Sequence, residues 1–150
     1  MIVGEAPFEE ARAFTAVVVS WFGAQLTKVL TGWFKTRKFN FRWLFNTGGM
    51  PSAHSASVTS VATATGLYFG FGSIIFLVVL VFTIITMFDA AGVRRNVGRQ
   101  AIILNKILDE LYEKGAVREG RLKELLGHTP VEVFAGALLG IVVAYILCTF

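Results

Sequence analysis

The feature that most constrains this chain is a long stretch without charge. From Ser55 to Phe88 there is no Asp, Glu, Lys or Arg, and the same holds from Val133 to Phe150. About 20 apolar residues span the hydrocarbon core of a bilayer as a helix, so the first stretch suffices for a helix across and a helix back. With 55% hydrophobic residues and a mean hydropathy of +0.65, the chain is predicted to be an integral membrane protein.

The sequence predicts an all-α, polytopic membrane helical bundle with about four transmembrane helices, in one domain that covers residues 1–150. The predicted spans are Ala11 to Phe34, Pro51 to Tyr68, Ile74 to beyond Phe88, and Pro130 to Phe150, with a turn "FGFGS" at 69–73. The polar segment 94–127 has helical spacing, with Asp and Glu preceding Lys, and its "AIILNKILDELYEKG" ends on Gly115. This pattern predicts an amphipathic helix outside or along the membrane.

The basic residues indicate how the chain is oriented. Arg12 precedes the first span, and Lys28 lies inside it near its end, where its ammonium group is expected to snorkel to the surface. The other twelve of the fourteen Lys and Arg residues fall in 35–42 and 94–123, which four spans put on one side. Basic loops stay cytoplasmic, so the amino terminus is predicted to lie outside and the basic segments inside. The net charge of +4 therefore needs no nucleic-acid partner, and the single cysteine, Cys148, indicates neither a disulfide framework nor a thiolate metal site.

This topology brings polar segments together at the predicted cytoplasmic face. They are "KTRKFNFRW" (35–43), "PSAHS" (51–55), "GHTPVEV" (127–133) and "DAAGVRRNVGRQ" (89–100). A helix start has free backbone N–H groups and a positive dipole end, which suit an oxyanion. Two such starts, each with a histidine, would face the cations Lys35, Arg42, Arg94 and Arg95. Since Arg donors match phosphate oxygens, the predicted ligand is a phosphate.

Two stripes of residues spaced by four predict how the second and fourth helices pack. Small residues on a stripe let a neighbouring helix approach closely. The stripes are expected to meet and to bring His54 near His128. Their members are His128, Glu132, Gly136, Gly140 and Ala144 on the fourth helix, and Ser52, Ala56, Ser60 and Ala64 on the second.

The same residues also have purely structural interpretations. "TPVE" at 129–132 is a capping box, with Glu132 reaching back to the N–H of Thr129, and this interpretation stands beside that of an orienting carboxylate. A lone histidine at a membrane interface is more often structural than catalytic. Ser52, Ser55 and Ser57 are equally suited to capping the helix start or bonding back to carbonyls.

The motifs resemble those of the phosphatidic acid phosphatase type 2 superfamily, integral-membrane phosphatases that share an active site with vanadium haloperoxidases. The first motif, Lys, six residues, Arg-Pro, is present as Lys35 and Arg42 with Trp43 in place of proline. The second, Pro-Ser-Gly-His, is present as Pro51-Ser52-Ala53-His54. The tail of the third, His, three residues, Asp, is present as His128 and Glu132.

The head of the third motif differs, because Leu122 stands six positions before His128, where an arginine is expected. Four residues remain open as the source of the missing cation: Arg121, Lys123, Arg94 and Arg95. The segments "GGMPSAHSASVTSVATATGL", "FDAAGVRRNVGRQA" and "LKELLGHTPVEVFAGALLG" are similar to the small divergent branch of the superfamily. This similarity extends over nearly the whole chain.

The resemblance implies a metal-independent phosphatase without a cofactor. His128 would attack phosphorus and become a phosphohistidine, with Glu132 holding its tautomer. His54 would protonate the leaving group and then activate water. Lys35, Arg42 and Ser52 would hold the phosphoryl oxygens.

A site at headgroup depth favours a membrane lipid as the substrate. The sequence does not distinguish among phosphatidate, phosphatidylglycerophosphate, prenyl diphosphates and similar molecules as the substrate. Two other functions stay open as well: a non-catalytic lipid-phosphate-binding or scaffold protein with a degenerate site, and a small transport or assembly subunit in which Asp89 lies on the pathway. A homo-oligomer is also compatible with the small-residue faces.

Overall fold

A computed structural model describes residues 6–37, 49–113 and 127–150. The elements in these ranges are all helical, which confirms the all-α prediction. They are α1 (Ala6–Thr36), α2 (Ala53–Phe69), α3 (Ile74–Phe88), a π-helical turn (Asp89–Val93), α4 (Arg94–Glu113) and α5 (Pro130–Thr149).

Three helical segments of the described chain are long and apolar enough to cross a membrane. They are Glu9–Phe34, Ile74–Asp109 and Pro130–Thr149, and each contains an 18-residue window with a mean hydropathy of 1.4, 2.6 and 2.3, respectively. The predicted second span corresponds to α2, which has 17 residues and is rich in Ser and Thr. α2 packs against α1, α3 and α5. Small polar residues suit such an enclosed helix, because they face neighbouring helices rather than lipid.

The third span and the amphipathic segment form one continuous helical run, whereas the sequence predicted a separate amphipathic helix. Asp89 keeps helical dihedral angles, and its N–H donates to the carbonyl groups of Ile85 and Thr86. The backbone then passes through the π-helical turn directly into α4. The run Ile74–Asp109 has 36 residues, more than the roughly 20 that a bilayer requires, so α4 extends beyond the membrane core. The predicted end at Gly115 lies outside the described residues.

α1, α2 and α5 form the centre of the bundle, and small residues hold them together. One cluster joins Ala24 of α1 to Ala53 and Ala56 near the start of α2. A second cluster, at the opposite end, contains Ala16, Ala64, Ala144 and Cys148. The order of these residues shows that α2 and α5 run parallel to each other and antiparallel to α1.

The close approach of α2 and α5 depends on two glycines. A Cβ atom at Gly136 would overlap the backbone carbonyl of Ser52, and one at Gly140 would overlap the carbonyl of Ala56 and the hydroxyl of Thr59. The Thr59 hydroxyl also donates to the carbonyl of Ala137 across the interface, at 3.1 Å. The predicted packing of the two small-residue stripes is therefore present.

α3 lies against the outer side of α2. The hydroxyl of Thr83 donates to the carbonyl of Val58 at 3.2 Å. This contact brings the π-helical turn to the end of the bundle where α2 and α5 begin, and there the N–H of His128 donates to the carbonyl of Ala90 at 3.2 Å. Three chain segments thus meet around His128.

Candidate functional site

The start of α5 is built by a capping box, as the sequence predicted. Thr129 is the N-cap, and its hydroxyl accepts a hydrogen bond from the N–H of Glu132 at 3.4 Å. In return, the N–H of Thr129 donates to Oε2 of Glu132 at 3.1 Å. Both bonds satisfy N–H groups that a helix start otherwise leaves unpaired.

The same carboxylate orients a histidine. Oε2 of Glu132 lies 3.1 Å from Nδ1 of His128. An ionised carboxylate only accepts hydrogen bonds, so this contact selects the tautomer that carries its proton on Nδ1. Nε2, the nitrogen turned away from Glu132, then keeps its lone pair. Glu132 therefore makes both contacts at once, the one expected of a cap and the one expected of an orienting group.

His128 is held on several sides. Its backbone N–H donates to the carbonyl of Ala90, and its ring is hydrogen-bonded to Glu132. Only 1% of the residue is exposed. It precedes the N-cap, so its side chain lies against the bundle rather than on the outer surface of α5.

The start of α2 lies beside that of α5. Ser52 is the N-cap of α2, and its fully buried hydroxyl accepts from the N–H of Ser55 at 3.4 Å. Its own N–H donates to the backbone carbonyl of Glu132 at 2.9 Å. The capping interpretation of Ser52 is thus confirmed, and its role in binding phosphate stays a prediction. Ser57 bonds back to the carbonyl of Ala53 at 3.0 Å.

The two imidazoles come together at these adjacent helix starts. The ring centroids of His54 and His128 are 6.4 Å apart, with an angle of 62° between the ring planes. His54 is exposed, whereas His128 is buried. The arrangement provides one sheltered nitrogen oriented by a carboxylate and one imidazole open to solvent, which suits a nucleophile and a proton donor, respectively.

Several predicted cations fall outside the described part of the chain. This applies to all of Arg42, Arg121 and Lys123, and to the side chains of Lys35 and Arg94. Arg95 is half-buried in the first turn of α4, next to the π-helical turn that contacts His128. Within the described ranges, no group of three or more His, Cys, Asp and Glu side chains is arranged to hold a metal ion.

The burial of Lys28 was not predicted from the sequence. Lys28 is only 7% exposed, so the expectation that it snorkels to the surface is wrong. Lys28 lies four residues after Ala24, on the face of α1 that packs against the bundle, and Glu132 acts on it electrostatically. Continuation of the small-residue spacing of α1 to position 28 is the sequence signal that points to this burial.

Comparison with known proteins identifies a family and a relative that match most of the chain. Residues 9–143 match the family described as the divergent PAP2 family. The chain is also 43% identical over 138 residues to the "Uncharacterized membrane protein YuiD" of Bacillus subtilis (strain 168), an alignment that covers 85% of this chain and 87% of that protein. No solved structure matches the chain significantly.

Proposed function

This chain belongs to the divergent PAP2 family, and from that premise we propose that it is an integral-membrane phosphatase that hydrolyses a lipid phosphate monoester or diphosphate. The single observation that carries the proposal is the pair of imidazoles, 6.4 Å apart, of which His128 is oriented by Glu132. Nucleophilic catalysis needs this combination of an attacking group, an orienting group and a nearby acid–base group.

In the first step, the lone pair of Nε2 of His128 attacks phosphorus. The bond between phosphorus and the leaving oxygen breaks, and His54 gives its proton to that oxygen. Glu132 accepts the hydrogen bond of Nδ1–H and stabilises the positive charge that develops on the ring. The product is a phosphohistidine with a new N–P bond.

In the second step, His54 takes a proton from water, and the water oxygen attacks phosphorus. The N–P bond breaks, its electron pair returns to Nε2, and inorganic phosphate leaves. The exposed position of His54 supports this role, because the same ring must exchange protons with the leaving group and with water. Lys35, Arg42, Ser52, Arg94 and Arg95 are proposed to hold the phosphoryl oxygens.

The position of the site supports a lipid substrate at the cytoplasmic face of the cell membrane. His54 and His128 lie at the end of the bundle where α3 passes into the polar α4. In the sequence, the segments 35–42 and 94–123 carry twelve of the fourteen basic residues, and such segments stay cytoplasmic. An acyl or isoprenoid tail would remain in the bilayer while the phosphate reaches the helix starts.

The test is a phosphoenzyme assay on the purified full chain in detergent. With p-nitrophenyl phosphate, whose leaving group needs no proton, His54→Asn is expected to form phosphohistidine normally and to hydrolyse it about 10²- to 10⁴-fold more slowly. Radiolabelled substrate should therefore leave acid-labile, base-stable phosphate on this variant. His128→Asn should acquire none, and Thr149→Ala, an exposed change at the far end of α5, should behave as the unmodified protein. Phosphate bound to His128→Asn at the same level would refute His128 as the nucleophile.

A second candidate function is the binding of lipid phosphates without turnover. The observation that favours it is the burial of His128 to 1%, together with Leu122 in place of the expected arginine. Release of phosphate from phosphatidate, phosphatidylglycerophosphate and prenyl diphosphates separates the two. Binding without release, equally strong in His128→Ala, would establish the binding protein in place of the enzyme.

A further inference from the structure

Lys28 belongs to none of the three motifs, and its position in α1 is unusual for a lysine. Residues at four-residue spacing line the face of α1 that packs into the bundle. They are Ala16, Ser20 and Ala24, each 0% exposed, and Lys28 at 7%. Since the first three face the bundle interior, Lys28 directs its stem there too, one turn closer to the end of α1.

Two parts of the candidate site surround Lys28. Gly49, two residues before Pro51, lies over its stem: a Cβ atom at Gly49 would be 3.9 Å from both Cγ and Cδ of Lys28. Glu132, in the first turn of α5, is the charged group that acts on Lys28 electrostatically. The stem of Lys28 therefore lies against the segment that leads into α2, and the charge of Glu132 reaches it.

The ammonium group of Lys28 is not held by an ion pair with Glu132. Among the residues that the structure describes, Lys28 makes no salt bridge, and Oε2 of Glu132 already accepts from Nδ1 of His128 and from the N–H of Thr129. An ammonium group has three N–H donors and loses its hydration when buried, a cost that an oxyanion next to it offsets. Lys28 thus has the donors and the charge of an anion site, at the end of the bundle where α2 begins.

We propose that Lys28 is a phosphate-binding residue: its buried ammonium group binds the non-bridging oxygens of the phosphoryl group that reaches His128. The proposal rests on the proposed function and adds to it a cation that the motifs do not contain. It is suited to the position, because a preorganised cation in a water-poor site stabilises the charge on phosphoryl oxygens strongly. The ligand chemistry is a phosphate monoester dianion, whether free phosphate or a lipid headgroup.

The experiment measures binding of inorganic orthovanadate and of dioctanoyl phosphatidate to the full chain in detergent micelles. Lys28→Met, which keeps the length of the side chain and removes the charge, should weaken binding of both about 10- to 100-fold. Lys106→Met removes the same charge from an exposed position in α4 and should leave both affinities unchanged. Equal affinities in Lys28→Met and the unmodified protein would overturn the proposal. So would a loss confined to phosphatidate, since Lys28 would then recognise the lipid rather than the phosphoryl group.

A double variant separates binding of the anion from neutralisation of Glu132. If Lys28 only balances the Glu132 charge, then Lys28→Met/Glu132→Gln binds vanadate as tightly as Glu132→Gln alone, and this result overturns the proposal. If Lys28 binds the anion, the double variant binds vanadate about 10- to 100-fold more weakly than Glu132→Gln alone. Because it contains no uncompensated buried charge, it also provides the measurement if Lys28→Met alone fails to fold.

Failure of this proposal and failure of the proposed function give different results. If vanadate affinity depends on Lys28 but no lipid phosphate releases phosphate, the anion site is supported and the phosphatase activity is refuted. If Lys28→Met releases phosphate at the rate of the unmodified protein, the phosphatase activity is supported and the role of Lys28 is refuted.

Discussion

The two helix starts at the site are both capped by a hydroxyl side chain, but one has an exposed histidine and the other a buried histidine. α2 begins at Ser52 and α5 at Thr129, and each hydroxyl accepts from the N–H three residues later. His54 follows its cap by two residues and is exposed, whereas His128 precedes its cap by one residue and is 1% exposed. The two imidazoles therefore differ both in their position relative to the N-cap and in their exposure.

The residue three positions after each cap explains the rest of the difference. In α5 it is Glu132, whose carboxylate binds both the cap N–H and the ring of His128. In α2 it is Ser55, whose hydroxyl is buried and has no hydrogen-bond partner in the described ranges. One start thus fixes an imidazole in a defined tautomer, and the other leaves its imidazole open to solvent. This difference suits the proposed roles of His128 as the nucleophile and His54 as the acid–base group.

The largest expected effect comes from Glu132→Gln. The amide oxygen can still cap Thr129, but it lacks the charge that stabilises the imidazolium form of His128 and no longer fixes the tautomer. Phosphate release is expected to fall about 10²- to 10⁴-fold. The thermal unfolding temperature in detergent is expected to fall as well, because the buried ammonium group of Lys28 loses a neighbouring opposite charge, so kcat is compared at a temperature where the variant stays folded. The measurement is kcat for the best lipid phosphate, with unfolding followed by circular dichroism.

The matched change in the other helix start is Ser55→Ala. Removal of a buried hydroxyl without a partner is expected to be neutral or slightly stabilising, and kcat should stay close to that of the unmodified protein. Equal losses of kcat in Glu132→Gln and Ser55→Ala would remove the distinction between the two starts.

A smaller effect is expected where the two starts are held side by side. Gly140→Ala introduces a Cβ atom against the carbonyl of Ala56, a backbone group that moves only with the helix. Overpacking of this kind destabilises by about 1–3 kcal/mol, despite the better helix propensity of alanine. Gly72→Ala is the matched control, because nothing lies within 4 Å of the added atom. The thermal unfolding temperature should fall only for Gly140→Ala, and a variant as stable as the control would contradict the close packing of α2 and α5.

Much of this arrangement could be predicted from the sequence, because local patterns determine it. The charge-free stretches predicted apolar helices, the four-residue stripes predicted the packing of α2 on α5, and "TPVE" predicted the capping box. The meeting of His54 with His128 then followed from two helices that begin at the same end.

Features that depend on tertiary context were not accessible in this way. The small-residue spacing of α1 indicates which face meets α2 and α5, but a lysine side chain is long enough to snorkel from that face, so whether Lys28 turns inward depends on the tertiary context. The continuity of α3 with α4 depends on a π-helical turn at "DAAGV", which has no periodicity of its own. The opposite exposure of the two histidines depends on the contact between His128 and Ala90, residues far apart in the chain.

The smallest effect tests the exposure of the two imidazoles directly. These are the only histidines in the chain, so carbethoxylation by diethyl pyrocarbonate followed by peptide mass spectrometry reports on each one separately. His54 is expected to react at least about tenfold faster than His128, because modification of a buried ring requires a local opening of the structure. Glu132→Gln, which weakens one of the bonds that hold His128, should bring the two rates closer together. If His128 reacts first in the unmodified protein, its ring is not sheltered, and the assignment of the nucleophile to the enclosed helix start loses its structural basis.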